Sequence, residues 1–336
     1  MWTHKIRAAL AGAAVALLFP AGAFATCIGT NLIPDLRADD PAAVDAMYAR
    51  AAQVPNGEGR FWKVERTGLP PSYLLGSFHA AEAIDTIDDR IWETFSDAAH
   101  VVVEVDLDQQ AAMEARMATD VEFSFDLEGP GLSARLDPAQ EQAVSDALAV
   151  RGMALSDVDK MRPWLLASLL SFPACHLQAM ATGAQPMDTA MAQAALERGT
   201  SLSGLESYEA AVSAFRRVGP DVLLESIATT GDLADREEDL FRTNLELYAD
   251  GQIAVIAELG ILLGERTTPG IDHRKLSEDV LAEILDARNV AWMPGLTQIL
   301  SGGDAFVIVG ALHLPGDAGL VSLLRREGFT VTRLDK

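Results

Sequence analysis

Two histidines in this chain follow a glycine at the same spacing, each after the same kind of segment. Gly76-Ser77-Phe78-His79 closes the apolar run Tyr73-Leu74-Leu75, and Gly310-Ala311-Leu312-His313 closes Phe306-Val307-Ile308-Val309. A third apolar run, Val101-Val102-Val103, ends in Glu104. Imidazole is the commonest side-chain ligand of transition metals, and two imidazoles with one carboxylate form a donor set used in hydrolytic metal sites. A divalent transition metal held by His79, His313 and Glu104 would acidify a bound water and polarise a carbonyl, which is the chemistry of hydrolysis. Glu104 has two roles open to it: direct ligand, or general base toward that water. A single Gly-x-x-His more often marks a structural histidine at a strand end. The repetition, and a charged residue ending an apolar strand, shift the balance toward a site. Buried alone, Glu104 would be costly to keep ionised, so a cation or an arginine is expected beside it.

The elements that must position these groups are strands. Arg60 to Arg66 and Tyr73 to Phe78 are separated by Thr67-Gly68-Leu69-Pro70-Pro71-Ser72, the punctuation of a hairpin. Asp88 to Ala98 has the spacing of an amphipathic helix, with Ile91, Trp92 and Phe95 on one face, and Val101 to Asp106 reads as the next strand. Strand, helix and strand make a parallel βαβ unit, and residues just past the carboxyl ends of its strands converge. The last segment repeats the plan: strand Phe306 to Val309, turn, helix Ala318 to Arg326, closing strand Phe329 to Leu334. The fold class expected is therefore α/β, with duplicated βαβ-type units forming one central sheet. The N-terminal sheet unit spans about 60–107 and the C-terminal unit about 304–336, with a large, mostly helical insertion over about 109–300. Within that middle, Gly264 to Ile271 reads as a loop, and Pro294-Gly295 as a kink or restart in a helical region that begins at Ser277.

The first 25 residues read differently from the rest. Lys5 and Arg7 precede the uncharged run Ala8 to Phe19, and Ala23-Phe24-Ala25 offers the small residues of a cleavage site, so residues 1–25 are expected to be a secretory signal. Phe24 and Thr26 depart from the residues that precede a lipidated cysteine at Cys27. No later run is apolar for long enough to span a bilayer, which predicts an exported protein, periplasmic or secreted, with no stable membrane insertion after cleavage. In such a compartment the only two cysteines, Cys27 and Cys175, are expected to pair, two free thiols being the alternative. The formal charge of −23, from 49 acidic and 26 basic residues, argues against binding nucleic acid or anionic lipid.

Taken as an ordered set, the chain resembles the TraB/GumN family. The residues that carry the resemblance are Tyr73 to His79, Val101 to Asp106 with Glu104, Pro186-Met187-Asp188, Leu205-Glu206, Arg288-Asn289, and Val309-Gly310-Ala311-Leu312-His313-Leu314-Pro315-Gly316. The family's relatives include the Tiki metalloproteases and, more remotely, erythromycin-esterase-like and ChaN-like proteins. The resemblance runs from about Ala38 to Leu334 and implies a duplicated α/β core, paired Gly-x-x-His motifs and an essential glutamate. By this resemblance His79 and His313 match the family histidines, Glu104 the glutamate and Arg288 the arginine before asparagine. The Tiki branch adds metal-dependent proteolysis with manganese or cobalt, iron and zinc completing the candidate metals.

Arg288 is then a candidate to hold a substrate carboxylate or a developing oxyanion, or else an ordinary helix-surface salt bridge. Asp188 and Glu206 are candidate substrate contacts. The alternatives are a helix N-terminal acid for Asp188 and a structural partner for Glu206. His100, His176 and His273 lack the repeated context. The function expected is an exported metal-dependent hydrolase, peptidase-like, acting on a peptide or other carbonyl substrate. The other reading is a non-catalytic binding protein that sequesters a peptide or a metal-containing ligand.

Overall fold

The computed structural model describes residues 27–231 and 233–335, so the expected secretory signal lies outside the described residues. Six strands form one mixed sheet: β1 (Phe61–Glu65), β2 (Ser72–Ser77), β3 (His100–Val103), β4 (Ser201–Gly204), β5 (Ala305–Gly310) and β6 (Thr330–Arg333), in the order β4-β3-β5-β2-β1-β6. β2, β5, β3 and β4 pair in parallel, whereas β1 runs antiparallel to both β2 and β6. This is the α/β fold with a helical middle that the strand and helix pattern predicts.

The two terminal units interleave. β5, from the far end of the chain, enters between β2 and β3, which are therefore not neighbours. Composition explains the order. Ala-Phe-Val-Ile-Val-Gly has no polar side chain and is buried along its whole length, as a central parallel strand requires. Ser-Leu-Ser-Gly and Thr-Val-Thr-Arg, each with a polar or exposed side, occupy the two edges.

Side chains alternate cleanly across the sheet. Leu75, Val101, Val103, Phe306 and Ile308 pack on one face with Phe95, Met191 and Tyr248. Leu74, Val102, Val307 and Val309 pack on the other with Trp292, Leu296, Leu320 and Leu324. Both faces are covered, and the helical middle continues over the carboxyl ends of β2 and β5.

Two local expectations are corrected. Gly264 to Thr267 belongs to the helix Ile253–Thr267, because Gly264 serves for close packing: a Cβ there would lie 2.5 Å from His273 Nδ1. The helix Ala287–Leu300 runs through Pro294 unbroken, and Val290, whose carbonyl loses its intrahelical donor, is 57% exposed to water. The irregularity lies earlier, in a π-helical turn at Ala282–Asp286 between the helices His273–Leu281 and Ala287–Leu300.

Cys27 and Cys175 are joined by a disulfide, with Cα atoms 5.4 Å apart and 148 residues between them. Cross-links over long loops restrict the unfolded chain most. Replacing both cysteines by serine is expected to cost about 2–5 kcal/mol, measured by urea denaturation at pH 7. Unchanged stability would show that the bridge constrains little.

Candidate functional site

Gly310 is the point where both ends of the chain meet. A Cβ built on it would lie 3.1 Å from His79 Nε2, 3.3 Å from Glu104 Oε1 and 3.6 Å from His313 Cδ2. Register explains the convergence: Ser77 of β2 is level with Gly310 of β5, and Val103, just before Glu104, is level with Ile308. Glycine at both motif starts serves close approach. At Gly76 a Cβ would lie 2.9 Å from Ala311 Cα, and Gly310 has an ordinary φ of −50°.

Arg288 organises the acids. A guanidinium has five N–H donors, and all five find acceptors here. Nε and Nη2 donate to Glu206 Oε1 at 2.8 and 2.6 Å, and Nη2 also donates to Glu104 Oε2 at 2.6 Å. Nη1 donates to the Ile284 carbonyl at 2.9 Å and toward His313 Nε2 at 3.2 Å. Ile284 lies in the π-helical turn, so the irregular winding directly serves the site. Glu104 Oε1 accepts the Gly310 N–H at 2.6 Å.

His313 is 2% exposed and held on two sides. The Asn289 amide donates to the carbonyls of His313 and Ala318, which leaves its Oδ1 to accept from His313 Nδ1 at 2.7 Å. That places the proton on Nδ1 and the lone pair on Nε2, facing Arg288. The Trp292 ring packs against both residues, 4.5 Å from the His313 ring centroid and 4.8 Å from Arg288 Cζ. His79 differs, with 46% of its side chain open, and its Nδ1 contacts Asp188 Oδ1 at 3.2 Å.

The charges follow from this arrangement. The Asp188 carboxylate beside His79 pushes the imidazole up to about 9, against burial and Arg288, with Glu104 adding to the rise. Burial pushes the Glu104 carboxyl up, yet His313, charged in the acid range where Glu104 titrates, together with Arg288, His79 and the Gly310 N–H holds it at about 2. Burial pushes His313 down to about 4, overcoming the pull of Glu104. At neutral pH the site therefore holds an imidazolium at His79, a carboxylate at Glu104 and a neutral imidazole at His313.

Above these groups lies a cavity of about 440 Å³. His79, Glu104, Arg288 and His313 form its polar end, and Phe172, Phe215 and Phe241 stand among its mostly apolar walls. Asp188 and Glu206 do not line it; they support His79 and Arg288 from behind. Asp188 also occupies the first turn of the helix Met187–Glu197, the position its alternative reading as a helix N-terminal acid expects. Sequence reasoning missed Asn289 and Trp292 as site residues; their spacing from Arg288, one and four positions along a helix, was the available signal.

The expected metal set can be tested on its donors. Among the described residues no three His, Cys, Asp or Glu side chains are grouped to hold an ion. His79, His313 and Glu104 do converge, but both Glu104 oxygens and His313 Nε2 already accept hydrogen bonds, two of them from Arg288, whose charge stands where a cation would be neutralised. A metal on these three side chains would require Arg288 to leave Glu104 and His313.

Fold and site together define an α/β protein with a histidine, glutamate and arginine centre in a cavity lined largely by its helical middle. The chain belongs to the TraB/PrgY/gumN family, whose sequence profile matches residues 60–333. A comparison with curated proteins returns no match.

Proposed function

We propose that this chain is an exported hydrolase of carbonyl compounds that works by acid–base catalysis between Glu104 and His79. The observation that carries the reading is the placement of a carboxylate oxygen and an imidazolium nitrogen around one point at Gly310, on the wall of the cavity. Paired groups whose pKa values are driven far apart are the usual signature of an acid and its matching base. Glu104 Oε1 takes a proton from water as the water oxygen adds to the carbonyl carbon. The His79 imidazolium hydrogen-bonds to the carbonyl oxygen while keeping its proton, transfers that proton to the departing oxygen or nitrogen as the bond breaks, and is recharged by the proton that Glu104 took from water, which restores both groups. A carboxylate held near 2 is a weak base, so activation of the carbonyl by His79 is essential. With all five donors engaged, Arg288 orients Glu104 and His313 and does not itself bind substrate. Export is supported by the N-terminal sequence and the disulfide.

A second reading, a divalent transition metal on His79, His313 and Glu104, rests on the convergence of those side chains. It requires Arg288 to withdraw. A third, ligand capture without turnover, fits the same cavity.

The readings separate when a library of peptides and acyl esters is incubated with wild type, Glu104→Gln and His79→Ala and followed by mass spectrometry, with and without a chelator. We expect products from wild type only, undiminished by chelation. Loss on chelation, restored by manganese, cobalt, iron or zinc, would establish the metal reading. Retention of intact compound with no product from any variant would establish capture.

A further inference from the structure

Among the described residues, three that line the cavity carry a buried polar atom with no partner in the protein: Arg151 at Nε, its other nitrogens being bonded to Ala147, Phe172 and Glu237, and two others, Ser77 and Asn244. Ser77, 2% exposed, is buried with no hydrogen bond to its Oγ, and the same holds for Asn244 Oδ1. Both residues line the cavity. Buried polar groups are nearly always paired, and an unpaired one costs stability unless something arrives to satisfy it.

The two stand on facing elements. Asn244 lies on the helix Glu237–Ala249, three residues after Phe241 and four before Tyr248, and so on the same face as both. Phe241 packs on Phe78 with ring centroids 5.8 Å apart, and the Tyr248 hydroxyl donates to the Gly76 carbonyl at 2.8 Å. That helix face therefore presents Asn244 to the Gly76–Phe78 end of β2, where Ser77 sits two residues before His79. Neither residue satisfies the other.

We propose that Ser77 and Asn244 are a clamp for the carboxamide of an apolar substrate, the Ser77 hydroxyl donating to its carbonyl and Asn244 Oδ1 accepting from its N–H. The apolar remainder lies against Phe172, Phe215 and Phe241. An ester lacks the N–H and leaves Asn244 unsatisfied, so the site selects amides over esters of equal shape. The inference rests on the cavity being the substrate site and names the class of bond it acts on.

The probes are N-butyloctanamide and its ester isostere butyl octanoate, titrated by calorimetry into His79→Ala so that binding is read without turnover. Failure of hydrolysis and failure of the clamp are then separate results. The amide is expected to bind about tenfold or more tightly than the ester, the range of leaving a buried polar group unpaired. Asn244→Leu in the same background should abolish that preference by weakening the amide alone, while Ser77→Ala should weaken both probes equally. Because each substitution removes an unsatisfied buried group, the unliganded melting temperature should stay level or rise, which a purely structural role for either residue would not allow. Equal binding of amide and ester, a preference that survives Asn244→Leu, or no binding of either probe would each overturn the proposal.

Discussion

Replacing Arg288 with leucine is expected to remove about 3–5 kcal/mol of stability at pH 7 and to lower turnover by about a hundredfold through misplacement of Glu104. The leucine fills part of the space but supplies none of the five donors. Glu104, with 15% of its side chain exposed, and Glu206, with 7%, are then left as neighbouring unpaired carboxylates. The pH dependence identifies the cause. In wild type Glu104 titrates at about 2 against an ordinary 4.5, so its contribution is full above 4.5 and is lost as pH falls toward 2. His313 behaves in the same direction: depressed from 6.5 to about 4, it stabilises fully above 6.5 and progressively less down to 4. Without Arg288 the Glu104 carboxylate loses one of the charges that hold it ionised, so the deficit of the variant, followed by urea denaturation, should shrink between pH 7 and pH 5. Arg288→Leu combined with Glu206→Leu should recover part of the loss. A variant as stable as wild type at pH 7 would mean that Arg288 does not hold the acids in place.

The second large effect concerns Asp188, which touches no substrate yet sets the protonation of His79. With His79 as proton donor, wild-type turnover should be level through neutral pH and fall above about 9. Asp188→Asn removes the largest influence raising that pKa, and the fall should move toward the ordinary 6.5. At pH 8 the variant would be slower by roughly thirtyfold, the fraction of imidazolium lost, while at pH 5.5 it should be nearly unchanged. A structural defect would lower turnover at every pH alike. Turnover that rises through pH 9 would instead make His79 a base and reverse the assigned roles. The folded state loses His79's contribution in the same window: full below 6.5, it disappears as pH rises to about 9, and because half the side chain meets water its size is modest.

Much of this molecule was legible from local patterns. The apolar runs ending at His79, Glu104 and His313 mark strands whose carboxyl ends must share one edge of a sheet, since parallel strands bury both faces and leave only their ends for chemistry. The two cysteines and the predominance of helix between the terminal units were equally readable. Interleaving was not. That β5 separates β2 from β3 depends on which strand is apolar enough for the centre, a competition among segments more than 200 residues apart.

The sequence by itself determined which side chains could do chemistry and that both ends of the chain must supply them, because residue type and strand spacing are local properties. Only the tertiary structure decided how they are charged and engaged. Arg288, arriving on a helix after a π-turn, takes the position between Glu104, Glu206 and His313. Asp188 reaches His79 from another helix. Protonation and hydrogen bonding depend on distances of a few ångströms between segments remote in sequence, and no spacing along the chain encodes them.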